Sequence, residues 1–360
     1  MTGKSKGKTP NREGHSWGWW LLLGSAAVVA GTLATEAKFP GGWLIGALLV
    51  AVVAGLVRPE HPRIPVNALL GSQAVIGLVL AGSFRPESLP IIASHWLPVL
   101  LIVAATLGVS FLAGIVLARI TPLGRETATM GTLPGGASGM IAMSMGSNAD
   151  TRMVALMQYM RVVLVVLSAA LLARFVLHPA VPVHAAPVHS AMPAHLWRVS
   201  GATAALAVLG GWAGLRLRIP AGALLGPMIL GILAGGFDLL HPLWPSFIPK
   251  AAYVVVGLYI GLLFDRASLA QAGRLIPIML ANTLLLMGVC AATGKFLSMA
   301  TGADYLTVYL ATTPGGMDSI AVVALGSGAD VSFMLAVQMV RVFATIFAGP
   351  LFARWVLSRK

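Results

Sequence analysis

Laid over itself with a shift of 180 residues, the sequence matches itself nearly from end to end. That repeat limits the fold more than any single motif does. Phe39-Pro40-Gly41-Gly42-Trp43-Leu44-Ile45-Gly46 falls on Ile219-Pro220-Ala221-Gly222-Ala223-Leu224-Leu225-Gly226, and Thr132-Leu133-Pro134-Gly135-Gly136 falls without a gap on Thr312-Thr313-Pro314-Gly315-Gly316. Gly146-Ser147 and Ala149-Asp150 lie over Gly326-Ser327 and Ala329-Asp330. Gln158 and Arg161-Val162 lie over Gln338 and Arg341-Val342, and Ala173-Arg174 over Ala353-Arg354. The chain is therefore expected to be two copies of one unit.

Each unit reads as six elements. The first has helices near 17–35, 41–57, 65–83 and 95–119, a broken element near 124–147, and a helix near 151–177. The second has them near 198–217, 220–239, 247–264, 275–299, 304–327 and 331–357. The chain accordingly divides into a tail (1–16), a first repeat (17–177), a His/Pro-rich linker (178–197) and a second repeat (198–357). Glycines four apart, as in Gly42/Gly46, Gly222/Gly226, Gly231/Gly235 and Gly257/Gly261, would let helix backbones approach closely.

These elements are apolar enough to be membrane spans. Of the 360 residues 58% are hydrophobic and 10% charged, with a mean hydropathy of +0.88. Runs of roughly 18 or more apolar residues, enough to cross a bilayer, recur from Trp17 onward. Neither the tail nor the linker could bury a core of its own. The fold class is thus an all-α, polytopic integral membrane protein with ten to twelve membrane elements.

The net charge of +13 does not indicate nucleic acid, because the basic residues are scattered among loops without interleaved aromatics. Lys4, Lys6, Lys8 and Arg12 precede the first apolar run and place the N-terminus in the cytoplasm. Tail and first run could pass for a signal peptide, but the run is long and the second repeat also opens on an apolar helix. Cys290 is the one cysteine, so neither a disulfide within the chain nor a cysteine-based metal site can form.

Pro134 and Pro314 each interrupt an apolar stretch by removing a backbone donor, and the following glycine pairs, Gly135-Gly136 and Gly315-Gly316, tolerate unwound backbone. Non-helical backbone at membrane depth has to be buried in protein or line a water-filled cavity. A helix restarting near Ser138 or Asp318 aims its positive end into that space, as secondary transporters do to hold anions. The alternative is a pair of plain proline kinks.

Arg161 and Arg341 lie about ten residues inside their helices, where a charge is costly unless paired or hydrated. Gln158 and Gln338 share their helical faces. Two readings stand for these pairs: they line a substrate path and counter a negative charge, or they are structural, through a salt bridge or hydrogen bonds to the unwound backbone carbonyls. Asp318 is the carboxylate within a broken element, against Ser138 in the first repeat. It could take up H+ or Na+, pair with an arginine, or cap the restarting helix. Asp150 and Asp330 read as helix caps. His178, His184, His189 and His195 read as part of a solvated loop.

If the broken element returns to its own side, each repeat crosses five times and the repeats are inverted. If it crosses, they are parallel. Lys and Arg counts lean slightly to inversion.

The repeated Pro-Gly-Gly, the Gly-x-x-Ala-Asp and Gln-x-x-Arg-Val that follow it, and Pro220-x-x-x-Leu224-Leu225-Gly226-Pro227 resemble the AbrB family of bacterial membrane proteins over roughly 20–357. In the first repeat, Trp43-Leu44-Ile45-Gly46-Ala47 departs from the last of these forms. The resemblance implies a cytoplasmic-membrane protein, a family labelled as regulators of gene expression and earlier as ammonia monooxygenase. It also implies distant kinship with cation/proton antiporters and anion transporters. The soluble DNA-binding regulator that shares the name is a different protein.

No catalytic constellation or phosphate loop is present, so no enzymatic activity and no cofactor is expected. The expected function is secondary transport of a small anionic solute, coupled to H+ or Na+, at a site where the broken helices meet. The alternative is a membrane regulator acting through a partner. The expected partners are lipid, solute and coupling ion, with no nucleic acid. A homodimer is compatible with the pattern.

Overall fold

The computed structural model describes residues 16–58, 64–84, 87, 90, 93–175, 194–264 and 266–358. The tail up to residue 15 and the linker with His178, His184 and His189 lie outside them. Apart from one 3₁₀ turn, every regular element among the described residues is an α-helix.

The first half contains α1 (Ser16–Glu36), α2 (Gly42–Val57), α3 (Val66–Gly82), α4 (Trp96–Ile120), α5 (Arg125–Thr132), α6 (Ala137–Met145) and α7 (Thr151–Phe175). The second contains α8 (Ala194–Arg216), α9 (Gly222–Gly236), α10 (Phe247–Gly261), α11 (Arg266–Ala272), α12 (Ile276–Thr301), α13 (Tyr305–Thr312), α14 (Met317–Ser327) and α15 (Val331–Ser358). Two differences from expectation stand out. Helix α8 begins at Ala194, so His195 lies on its first turn, not in a loop. Helix α11 was not expected, because a seven-residue segment is invisible to a search for bilayer-length runs.

Four described helices are long and apolar enough to cross a membrane: Trp17–Glu36, Trp96–Ile120, Thr151–Phe175 and Leu269–Thr301. Large apolar side chains face outward along them, among them Leu21, Leu22, Leu101, Leu112, Leu284 and Phe296. In water such faces would be a liability, whereas in hydrocarbon they are the expected surface. The protein is all-helical and membrane-type.

Backbones approach closely where side chains are missing. A Cβ on Gly77 would collide with the carbonyl oxygen of Leu224, and one on Gly257 with that of Leu44. Gly42 and Gly46 let α2 lie on α1, Gly222 and Gly226 let α9 lie on α8, and Gly257 and Gly261 let α10 lie on α2. Gly231 meets Ala81 and Leu78, while Gly235 touches only His241. Along α2 and α10 the contacts advance together, Leu44 with Gly257 and Leu48 with Gly261, so the two helices run parallel. Around them the largest core cluster joins both halves through Leu48, Ile76, Val165, Leu225, Val256 and Phe333.

Candidate functional site: two helical hairpins held by buried arginines

Helices α5 and α6, with the Leu133–Gly136 break between them, form a hairpin that goes in and comes back. Its two ends are bonded together: Asp150 N–H donates to Thr127 Oγ1 at 2.9 Å and Asn148 N–H to Glu126 Oε2 at 2.9 Å. The α13–α14 hairpin closes in the same way, with Asp330 N–H donating to Thr307 Oγ1 at 2.9 Å. Both aspartates also cap the next helix, as expected: Asp150 Oδ1 accepts from Arg152 and Met153 N–H, and Asp330 Oδ1 from Phe333 N–H.

At the break the last carbonyls of α5 lose their helical partners. Helix α7 supplies substitutes. Gln158 Nε2 donates to the carbonyls of Met130 (2.7 Å) and Leu133 (3.0 Å), and Arg161 Nη1 to those of Thr132 (2.9 Å) and Leu133 (3.3 Å). Arg161 Nη2 also donates to Gln158 Oε1. Helix α15 does the same for α13. Gln338 Nε2 donates to Leu310 O (2.9 Å), and Arg341 Nη1 to Thr312 O (3.1 Å) and Thr313 O (2.7 Å). A cation at a helix C-terminus is also favoured by the helix dipole. Arg161 lies ten residues into α7, about 15 Å at 1.5 Å per residue, close to half of a bilayer core of about 30 Å.

Each last helix also carries the tip of the other hairpin. Thr345 Oγ1 on α15 donates to Pro134 O at 3.4 Å, and its methyl group packs against Gly135. On α7, Val165 packs against Gly315 and Val162 faces Gly316. So one face of α7, carrying Gln158, Arg161, Val162 and Val165 at i, i+3, i+4 and i+7, grips the first break and supports the second. The two breaks are bridged by α7 and α15.

The two arginines are 4% and 3% exposed and the two glutamines fully buried. Among the described residues no carboxylate lies within ion-pairing distance of either guanidinium, and Arg161 lies within electrostatic reach of Arg341. Both Nε atoms and Gln338 Oε1 are buried without a partner. A small crevice of about 10 Å³, room for little more than one water molecule, lies beside Arg161, walled by Thr132 from α5, Met157 and Met160 from α7, and Asn282 and Thr283 from α12.

Asp318 does not cap α14; Gly316 holds that position. Asp318 sits in the first turn, where its Oδ1 accepts from Ser319 N–H at 2.8 Å and its Oδ2 from Gln73 Nε2 of α3 at 2.9 Å. It makes no ion pair with either arginine. Tyr159 of α7, paired with Tyr259 of α10, lies within electrostatic reach of Asp318. In the first hairpin the backbone of Ser138 lies in the opening turn of α6; its side chain is outside the described residues. Sequence reading missed Gln73, Tyr159, Tyr259, Asn282 and Thr345. One available signal was Gln73, a carboxamide in the middle of an apolar helix.

The chain is similar to known proteins over almost its full length. The family model described as Transition state regulatory protein AbrB matches residues 43–357. A protein of Escherichia coli (strain K12), described as a proposed regulator under the name AbrB, is 34% identical over 340 residues, 94% of this chain and 96% of that one. An uncharacterized protein of Bacillus subtilis (strain 168), YhjN, is 28% identical over 361 residues, 93% and 92% of the two chains.

Proposed function

The chain belongs to the AbrB family, and from that premise we propose that it is a secondary transporter of a small anionic solute in the cytoplasmic membrane, not an enzyme. The observation that carries the reading is the pair of buried arginines. Two guanidinium charges lie at mid-span, Arg161 within electrostatic reach of Arg341, with no carboxylate in ion-pairing distance of either among the described residues. Burying such charges costs several kcal/mol each unless something of opposite sign is present. The carbonyls at the breaks offset part of that cost, and a bound anion would supply the rest. The half-helices α6 and α14 start at the same breaks and add N–H groups and positive dipole ends.

In this reading the repeats are inverted, the N-terminus is cytoplasmic, and the hairpins enter from opposite faces. Three contacts support opposite faces. The base of the second hairpin, at Gly326, lies against Pro40 and Gly41, where α2 starts. The base of the first, at Asp150, accepts a hydrogen bond from Gln271, ten residues past the end of α10. Because α2 and α10 run parallel, these two places are at opposite ends of the same helix pair.

The test is uptake of labelled mono- and dicarboxylates into proteoliposomes, with and without H+ or Na+ gradients. At least one anion is expected to accumulate, and Arg161→Gln is expected to abolish its uptake. No movement of any organic anion under any gradient would contradict the proposal.

The printed description of the Escherichia coli relative favours a second reading, a membrane regulator. Its action on gene expression would be indirect, through the level of an inducing solute or through a soluble partner. A regulator that co-purifies with the full chain and is lost when residues 1–16 are deleted would favour this reading over transport.

A further inference from the structure

Asp318 and its neighbours are not repeated at the corresponding positions of the opposite half. Shifted by 180 residues, Asp318 becomes Ser138, Gln73 becomes Tyr253, Tyr159 becomes Met339 and Tyr259 becomes Val79. The backbone repeats here and the ionisable chemistry does not. The other described carboxylates, Glu36, Glu87, Glu126, Asp150, Asp238, Asp304 and Asp330, lie at helix ends or in loops. Asp318 instead opens a half-helix whose tip rests on the middle of α7.

We propose that Asp318, held by Gln73 and by the backbone N–H of Ser319, is a proton-binding site, one per chain. The proposal rests on the transporter reading and names its coupling ion. The donor pattern selects H+ over Na+. Both carboxylate oxygens already accept N–H donors, from Gln73 and from Ser319. A sodium ion needs several oxygens turned toward it with free lone pairs, whereas Gln73 presents its nitrogen. A proton needs only one lone pair and then one acceptor.

The exchange balances simply. Hydronium gives its proton to a carboxylate oxygen of Asp318 and leaves as water; release is the reverse. The new O–H can donate to Gln73 Oε1 once that carboxamide turns over. Asp318 and Gln73 are only half-buried, which leaves a way for water to reach them.

Every helix packed against α14 can be checked for competing charge. Helices α3, α7 and α10 present Gln73, Tyr159 and Tyr259. Arg161 of α7 turns to the first break. Helix α2 has no ionisable side chain. On α13, Tyr309 turns to Ser168 of α7 and Tyr305 to the carbonyl of Ala291. Arg341 of α15 turns to the carbonyls of Thr312 and Thr313. Among the described residues no cation lies within ion-pairing distance of Asp318. Tyr159 and Arg161 share α7, two residues apart, so a change at Asp318 reaches the helix that grips the first break.

The test is infrared difference spectroscopy of the purified full-length protein in lipid, titrated from alkaline to acid in sodium-free buffer and again with sodium chloride. A protonated-carboxyl band is expected that is lost in Asp318→Asn and kept in Asp330→Asn. In Gln73→Leu, where Asp318 stays in place, the band is expected to shift in frequency. Sodium is expected to leave it unchanged. A spectrum that Asp318→Asn does not alter, or a band that sodium removes at fixed pH, would overturn the proposal. The band needs no transported solute. A failed uptake screen with the band present therefore contradicts transport alone, and successful uptake without the band contradicts the proton site alone.

Discussion

At their bases the two hairpins make one and the same bond, Asp150 N–H to Thr127 Oγ1 and Asp330 N–H to Thr307 Oγ1, both 2.9 Å long. At their breaks they are again alike, each gripped by a glutamine and an arginine from the helix that follows. At the tips they part. Gly136 holds φ 79°, ψ 131°, a conformation open to glycine, whereas Gly316 sits at φ −69°, ψ 132°, ordinary extended backbone. The second tip carries a carboxylate tied to α3, while Ser138 takes that position in the first. Backbone satisfaction is what the halves share, because every hairpin buried at membrane depth faces the same shortage of partners. Ionisable chemistry is where they are free to differ, and function is the place to look for the reason.

The largest expected effect tests the shared part. Arg161→Ala leaves Thr132 O and Arg341→Ala leaves Thr312 O without a donor, while Leu133 O and Thr313 O keep the N–H groups of Gly135 and Gly315, so each variant is expected to cost about 1–3 kcal/mol. Thermal unfolding in detergent should show nearly equal losses for the two. A large loss at one and almost none at the other would break the equivalence of the grips. Next come the tips. Gly136→Ala forces a side chain into a sparsely populated region, costing roughly 1–3 kcal/mol. Gly316→Ala carries no such backbone strain, but its Cβ would crowd Asp318 Oδ1 and Ser319 Oγ at 2.9 Å. The first variant is expected to lose more stability and the second to disturb the Asp318 carboxyl band. The reverse order would show that the tips have been misread. The smallest effect lies at the bases, where Thr127→Val and Thr307→Val each remove one hydrogen bond, worth about 0.5–1.5 kcal/mol. Faster amide exchange at Asp150 and Asp330 respectively, each confined to its own hairpin, is the expected result.

Much of the fold was legible in the sequence because it rests on local rules. Apolar runs bounded by Pro, Gly or Arg gave helix limits within a few residues of those observed, and Pro-Gly-Gly marked both breaks. The bland reading of Arg161 and Arg341, bonding to unwound backbone, describes their hydrogen bonds. The return of each hairpin was not legible, since it depends on Thr127 meeting Asp150 across the break and the loop charges barely favour either topology. The contact between Gln73 and Asp318 joins residues 245 apart. No period or motif encodes it, and a search for repeated positions passes over chemistry that occurs once. In the sequence Asp318 reads as a helix cap because carboxylates near helix starts often are, but the unwound backbone runs on to Gly316 and leaves Asp318 two residues past the cap.

The central claim, two hairpins entering the membrane from opposite faces, is open to one direct measurement. Single cysteines are placed at the bases, at exposed Asn148 (Asn148→Cys) in one protein and at half-buried Ala303 (Ala303→Cys) in another; Cys290 is buried and stays unreactive. Each is labelled with a membrane-impermeant maleimide in intact cells and in inverted membrane vesicles. The account predicts labelling at position 148 from the cytoplasmic face only and at position 303 from the external face only. Labelling of both from the same face would contradict it.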